Sequence, residues 1–370
     1  MLALIFSLVL HVHAGESINA ALDSARAVYQ TRQERTTILL DPAVYQEELT
    51  IDVPGLSLKC ANYKRTAFIT WYYGHGYQYR SMGKTNYGGS RSRKWNASVL
   101  VTAPDFYAEN IVFENSFNLY VSSKEAQDSL YILPEYTARP MPDRPKQAGS
   151  TEVQRKQYRE RAAAISFTST ATNAHLKNCT AIGRQDVLYG DQGATIYWER
   201  GTLAGGVDFI FGAMTMVVDH ATIIANITDE PGEKCYVAAG RSGGDQASET
   251  PTRGLLFYHC YLRSPIPERM WLARPWRPWG ETVWAYTRWQ PDERPLNTEV
   301  WSTGLIKKRE DFNPSNPCPN SYEYRSQDHS VGRPDWVTVL RHPRLPDGTR
   351  LTPKAWLKQR QPSTQNQPNN

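Results

Sequence analysis

Two aspartates sit in unusual company. Asp208 lies in "GGVDFIFGA" (205–213), with Val207 before it and Phe209, Ile210 and Phe211 after it. Asp186 lies in "GRQDVLYG" (183–190), with Gln185 on one side and Val187 and Leu188 on the other. Surrounding a carboxylate with apolar groups is costly unless the charge is paired or used. Two carboxylates brought close together cannot both ionise easily, so one pKa should rise while the other falls. That split leaves one group as a proton donor and the other as a nucleophile. Gln185 offers amide N–H donors to a developing oxyanion. The chemistry within reach is nucleophilic attack and acid–base work at one site, with an amide to meet a developing oxyanion. It requires that the chain bring the two segments together.

Internal repeats supply the means. The stretches "FYAENIVFEN", "AHLKNCTAIG", "IYWERGTLAG", "MVVDHATIIA" and "LFYHCYLRSP" superpose on a central polar residue, at Asn110, Asn178, Arg200, His220 and His259. The steps between these numbers are 68, 22, 20 and 39 residues. Steps of 20 and 22 suit one coil of a β-solenoid, 39 suits two, and 68 suits a coil carrying a long insertion. "SLKCANYK", around Cys60, reads as an earlier rung. Asp186 lies 8 residues after Asn178, and Asp208 lies 8 after Arg200. The two therefore occupy equivalent places on neighbouring coils, and neighbouring strands lie ~4.8 Å apart. A βαβ fold would need helical segments between these strands, and none is apparent. A sandwich shares the short, regularly spaced strands, but equivalence of whole motifs favours an all-β parallel β-helix.

Around this core, "SINAALDSARAVYQ" predicts one capping helix, with Ser17 as N-cap and Ile18, Ala21, Leu22, Ala25 and Val28 on one face. Before it, "MLALIFSLVLHVHA" reads as a secretory leader with cleavage after Ala14. The division expected is thus a leader over 1–14, a β-helix domain over 15–357 and a disordered polar tail over 358–370. Residues 70–95 and 117–160 read as long loop insertions, the kind that carry function or move. Nothing reaches the length of a membrane span. The net charge of +5 is mild, compatible with plain solubility or with attraction to an acidic polymer. Five cysteines (Cys60, Cys179, Cys235, Cys260 and Cys318) form no CxxC pair and no zinc-type cluster, leaving room for one or two disulfides.

The same residues carry a family likeness. "GRQDVLY", "GGVDFIFG" and "WLARPWRPWG" (271–280), in that order, resemble the signature segments of pectin methylesterases, carbohydrate esterase family 8, and "VYQEE" (44–48) resembles an early family segment. The likeness spans roughly 16–340. It implies a single-stranded, right-handed parallel β-helix. By residue it implies Asp208 as nucleophile, Asp186 as general acid and base, Gln185 in the oxyanion hole, and Arg274 and Trp276 orienting nucleophile and substrate. Tyr189 and Phe211 could add aromatic surface for sugar rings. The implied substrate is methyl-esterified homogalacturonan, with no cofactor, no metal, no nucleic acid or membrane partner, and a secreted monomer.

Departures are visible too. In "RAAAISF" (161–167), Arg161 stands where the family has a second oxyanion glutamine, and Ala43 and Ala273 stand where it has glycine. Arg161 could serve as a cationic donor in the glutamine's place, or mark a weakened enzyme that only binds carbohydrate. A polygalacturonase-type glycosidase would also use two carboxylates on a β-helix, but gives no reason for Gln185 or for the "ARPW" segment. "GRSGG" around Ser242 fits G-x-S-x-G, yet no helix follows it as a nucleophile elbow requires.

Overall fold

The computed structural model describes residues 7–82, 93–132, 143–241, 253–274, 280–289, 320–326, 333 and 336–358. Short strands separated by turns wind into three parallel sheets, which contain eleven, eight and seven strands among the described residues. Each strand pairs in parallel with the strand one coil away. The result is the right-handed parallel β-helix.

The repeat markers are where the backbone must turn. Asn110, Asn178, Arg200, His220 and His259 all take left-handed φ values between 51° and 61°. Tyr286, at φ 58°, and Arg325, at φ 44°, continue the series on two further rungs. One strained residue per coil, after each first-sheet strand, is what makes the stretches superpose. Inward-facing residues then stack through the column: Leu58, Ala108, Leu176, Trp198, Val218, Phe257 and Trp284 pair in register from coil to coil. All seven are at most 1% exposed. At the last step the rings of Phe257 and Trp284 stack 3.9 Å apart.

The capping helix runs Ile18–Arg32, its Ser17 cap accepting from the Ala20 N–H, and it buries Ile18, Leu22 and Ala25 over the open end of the column. The residues before it, expected as a leader, are extended in the structure. Ser7–Val12 form the first strand of the first sheet, in register from Ser7↔Arg35 to Val12↔Leu40. Leaders and strands share apolar composition, but here Leu8, Leu10 and Val12 point inward while Val9 and His11 face out. That alternation belongs to a strand. No described helix is long and apolar enough to cross a membrane.

The insertions are more ordered than long loops. Tyr77–Tyr79 pairs antiparallel with Leu130–Ile132, and Tyr72, Tyr73, Tyr77, Tyr79, Met82 and Phe117 form a separate small core with Ala162. Arg144 is buried over the Phe117 ring at 3.6 Å and pairs with Glu125 at 3.1 Å. Cys60, Cys179, Cys235 and Cys260 are buried free thiols. Burial pushes the Cys179 and Cys260 thiols up to about 12, so they behave as inert core groups. Cys318, Ser242 and the tail from 359 lie outside the described residues.

One glycine shows how tightly coils approach beside the site. Gly212 has φ 125°, and a Cβ there would lie 2.1 Å from the Gly190 carbonyl oxygen on the next coil. Gly212→Ala is expected to cost about 3–5 kcal/mol, since neither backbone can yield. A urea titration checks this as a lowered midpoint with an unchanged slope.

Candidate active site

The third sheet carries the site. Its strands Leu188–Gly190 and Ile210–Gly212 are paired Leu188↔Ile210, Tyr189↔Phe211 and Gly190↔Gly212. Just upstream, Gln185 and Val207 form a bridge, and the Asp186 N–H donates to the Val207 carbonyl at 3.1 Å. Asp186 and Asp208 thus fall at matching places one coil apart. Both adopt the same left-handed backbone, φ 58° and 51°. A non-glycine residue held there carries strain, a feature that clusters at functional sites. The turn carries each side chain away from the core ladder and presents it on the sheet's outer face.

The two carboxyls meet different surroundings. Asp186 is 5% exposed. Its burial, with the Asp208 charge as the second cause, holds its pKa well above the ordinary carboxylate range. Asp208 keeps 14% of its side chain open to solvent. Arg274 grips it with both arms of the guanidinium, Nε donating to Oδ1 and Nη2 to Oδ2, each at 2.5 Å. This is the bidentate geometry that best stabilises a carboxylate. Burial still raises the Asp208 pKa, with Arg274 pulling against it. Both groups therefore move upward, where spacing alone predicts one up and one down. The charges they share are outweighed by loss of water, and Arg274 limits that loss for Asp208 only. Asp186 is thus the more deeply buried carboxyl, and Asp208 the one that a guanidinium holds.

Arg274 follows the strand Met270–Ala273, two coils beyond Asp208, and is fixed from behind. Its N–H donates to Ala238 O at 2.9 Å, and its guanidinium carbon lies 4.2 Å from the centre of the Tyr236 ring. Tyr236 in turn packs on Trp271, 5.3 Å away. Gln185 bonds through its backbone, accepting from Ala162 N at 3.2 Å. No described residue holds its side-chain amide, which leaves those donors for a substrate. Tyr189 and Phe211 lie side by side at 4.8 Å, and Trp95 closes on both, at 5.7 and 5.5 Å. Arg161 reaches the same place: its guanidinium carbon is 5.1 Å above the Trp95 ring, and its Nε bonds Glu160 at 2.9 Å. Its charge lowers the Asp186 pKa, opposing burial. Trp276 lies outside the described residues.

Three participants were not anticipated. Trp95 sits in the first insertion, where composition gave no register. His75, buried, touches Trp95 at 5.3 Å and donates its N–H to Arg161 O. Burial first, and the Arg161 charge second, lower its pKa to about 4, so it is neutral in ordinary buffers. Arg184, two residues before Asp186 and 2% exposed, pairs with buried Glu233 and with Gln154 Oε1 at 3.2 Å. Arg159 joins the same Glu233 at 3.0 Å. This ionic knot ties the second insertion to the coil that bears Asp186. Arg184 was visible beside the motif; its partners, 30 and 49 residues away, were not.

Known proteins give the same reading of the chain. The pectinesterase family model matches residues 152–305, which contain both aspartates, Gln185 and Arg274. Pectinesterase 31 of Arabidopsis thaliana is 25% identical over 298 residues, covering 79% of this chain and 73% of that protein. Among solved structures, the pectin methylesterase from Yersinia enterocolitica superposes with a TM-score of 0.61 at 24% identity, over 88% of this chain and 93% of the other. A pectin methylesterase solved with a bound hexasaccharide gives a TM-score of 0.59 at 19% identity, over 89% and 92% of the two chains. These two establish the shared fold. The family match falls on the very coils that carry the carboxylates, and in sequence and fold the chain is similar to the pectinesterases, which are carboxylic ester hydrolases.

Proposed function

We propose that the protein hydrolyses C6 methyl esters of homogalacturonan, with Asp208 as nucleophile and Asp186 as general acid and then base. The observation that carries this reading is the matched left-handed placement of the two carboxyls, one clamped by Arg274 and the other buried, with its pKa pushed well above the ordinary carboxylate range. An Asp208 oxygen, which keeps a lone pair beyond those engaged by Arg274, attacks the ester carbonyl. Negative charge grows on the carbonyl oxygen, where the Gln185 amide can meet it. The C–O bond to the methoxy group breaks, and Asp186 gives that oxygen its proton, releasing methanol. The mixed anhydride on Asp208 then takes a water whose proton goes to the ionised Asp186. Carboxylate product leaves and both aspartates return to their starting states.

Tyr189, Phe211 and Trp95 offer a wall for sugar rings. The polymer substrate belongs to the cell wall, so the reading carries an extracellular site of action. Assay of methanol together with polymer length tests the reaction class. Methanol should appear without any shortening of the chain. Shortening without methanol would make the protein a glycosidase, and binding with neither would make it a lectin-like scaffold.

Arg161 has its own test. If its guanidinium stands in for an oxyanion amide, Arg161→Ala lowers kcat about 10²-fold, and Arg161→Gln recovers most of the loss. Removing the charge also takes away a group that lowers the Asp186 pKa, so the alkaline limb of the pH profile should move to higher pH in both variants. An unchanged kcat and an unmoved limb would take Arg161 out of the site.

A further inference from the structure

We propose that His11, His13 and Asp41 form a transition-metal site on the first coil, taking Zn²⁺ or a neighbouring ion such as Co²⁺ or Ni²⁺, and that the ion staples the terminal strand to the next coil. His11 and His13 are two apart on extended chain, so both rings face outward on one side. The parallel register brings Val12 opposite Leu40, which sets Asp41 alongside His13. Asp41 bridges the pair: Oδ1 is 2.9 Å from His11 Nε2, and Oδ2 is 3.2 Å from His13 Nδ1. The three ligand atoms all lie within 4.8 Å of one another. A tetrahedral ion with ligands at 2.0–2.1 Å asks for donor separations of about 3.4 Å. Small ring rotations would open the triangle to that size.

The frame around these donors is already rigid. The Asp41 N–H donates to Val12 O at 3.0 Å, and Tyr45 Oη, itself buried, donates to both Val12 O and Asp41 O at 3.1 Å. The Ala14 N–H donates to Asp41 Oδ2 at 3.3 Å, and the His13 N–H to Glu16 Oε2 at 2.8 Å. Partners of this kind orient ligands and set their affinity. Two imidazole nitrogens and one carboxylate oxygen suit borderline ions over calcium or magnesium, which prefer all-oxygen shells. His11 and His13 keep 41% and 61% of their side chains exposed, so an ion can enter and water can complete its shell.

The fold gives such an ion a task. Ser7–Val12 is the outermost strand of its sheet, and Val12 alone among its residues is fully buried. Apolar burial holds this strand weakly, and an open edge invites pairing with other chains. An ion bound to His11 and His13 at the end of this strand and to Asp41 just after the next would pin the edge strand to its neighbouring coil. The site lies four coils, ~19 Å at strand spacing, from the strand leading to Asp186, so it is independent of the ester chemistry.

The test uses the full chain, stripped with a chelator and titrated with Zn²⁺ by calorimetry and with Co²⁺ by visible absorption. One equivalent should bind, ligand-field bands should appear with Co²⁺, and Tm should rise with Zn²⁺ concentration. His11→Gln and His13→Gln should each weaken binding at least tenfold, as should Asp41→Asn if a histidine variant folds poorly. His259→Gln, an outward-facing histidine elsewhere, should bind as the parent does, and methanol release should be unchanged in His13→Gln. Absent binding, binding that survives His11→Gln and His13→Gln, or an intact mass showing that the working protein starts after Ala14 would each overturn the proposal.

Discussion

Asp208→Asn should lower kcat for methanol release by about 10⁴-fold or more, the scale seen when a nucleophile is removed. KM should change little, because an amide of the same shape still fills the space and its oxygen still accepts one of the two Arg274 bonds. The folded state should survive for the same reason. Circular dichroism and pectin binding of the variant, measured beside the rate, separate loss of chemistry from loss of structure. Methanol release within tenfold of the parent would remove Asp208 from the nucleophile's role, whatever its geometry.

Asp186→Asn should cost about 10²–10⁴-fold in kcat, the usual worth of a positioned acid and base, and it should reshape the pH profile. Asp208 must be ionised to attack, and its pKa lies above the ordinary 3.8. Activity therefore falls on the acid side as pH drops through that value. Asp186 must be protonated to release methanol, and its pKa lies well above 3.8. Activity falls on the alkaline side as pH rises through it. Asp186→Asn should erase the alkaline limb and keep the acid one. If the alkaline limb persists, another group is the acid.

The same shift has a sign for stability. A carboxyl whose pKa is raised by folding binds its proton more tightly in the folded state. The stability it contributes is full below about pH 3.8 and declines as pH climbs toward the folded value. Asp186→Asn removes that decline, so the variant should melt higher than the parent at neutral pH and about equal to it near pH 3. An active site that stores instability of this kind trades it for rate.

Repeat spacing is sufficient for architecture because it reflects a local property. A solenoid coil must turn after each first-sheet strand, and the residue at that turn is left-handed whether it is Asn178, Arg200 or His220. Side-chain identity can vary at that turn, and so can coil length. The 39 residues from His220 to His259, expected as two coils, make one, since Thr215–Asp219 pairs directly with Leu255–Tyr258. Counting along the chain therefore places Asp186 over Asp208, and the strand register agrees. The amphipathic cap is legible for the same reason, since its period is written in consecutive residues.

Over the six residues of the first strand, apolar composition hides the alternation of a strand. The insertions could not be placed at all. Trp95 and His75 have no register to count from, and their position comes from packing against Arg161, Tyr189 and Phe211.

What the amino-acid sequence determined by itself was therefore the coil and the pairing of two carboxyls, both consequences of equivalent turns recurring along one chain. What only the tertiary structure decided was environment. It set which carboxyl loses its water and which is held by Arg274, 66 residues away. It also brought Asp41 to His13 across 28 residues of helix and strand. Desolvation and long-range contact depend on what surrounds a group in space, and no spacing rule along the chain encodes that.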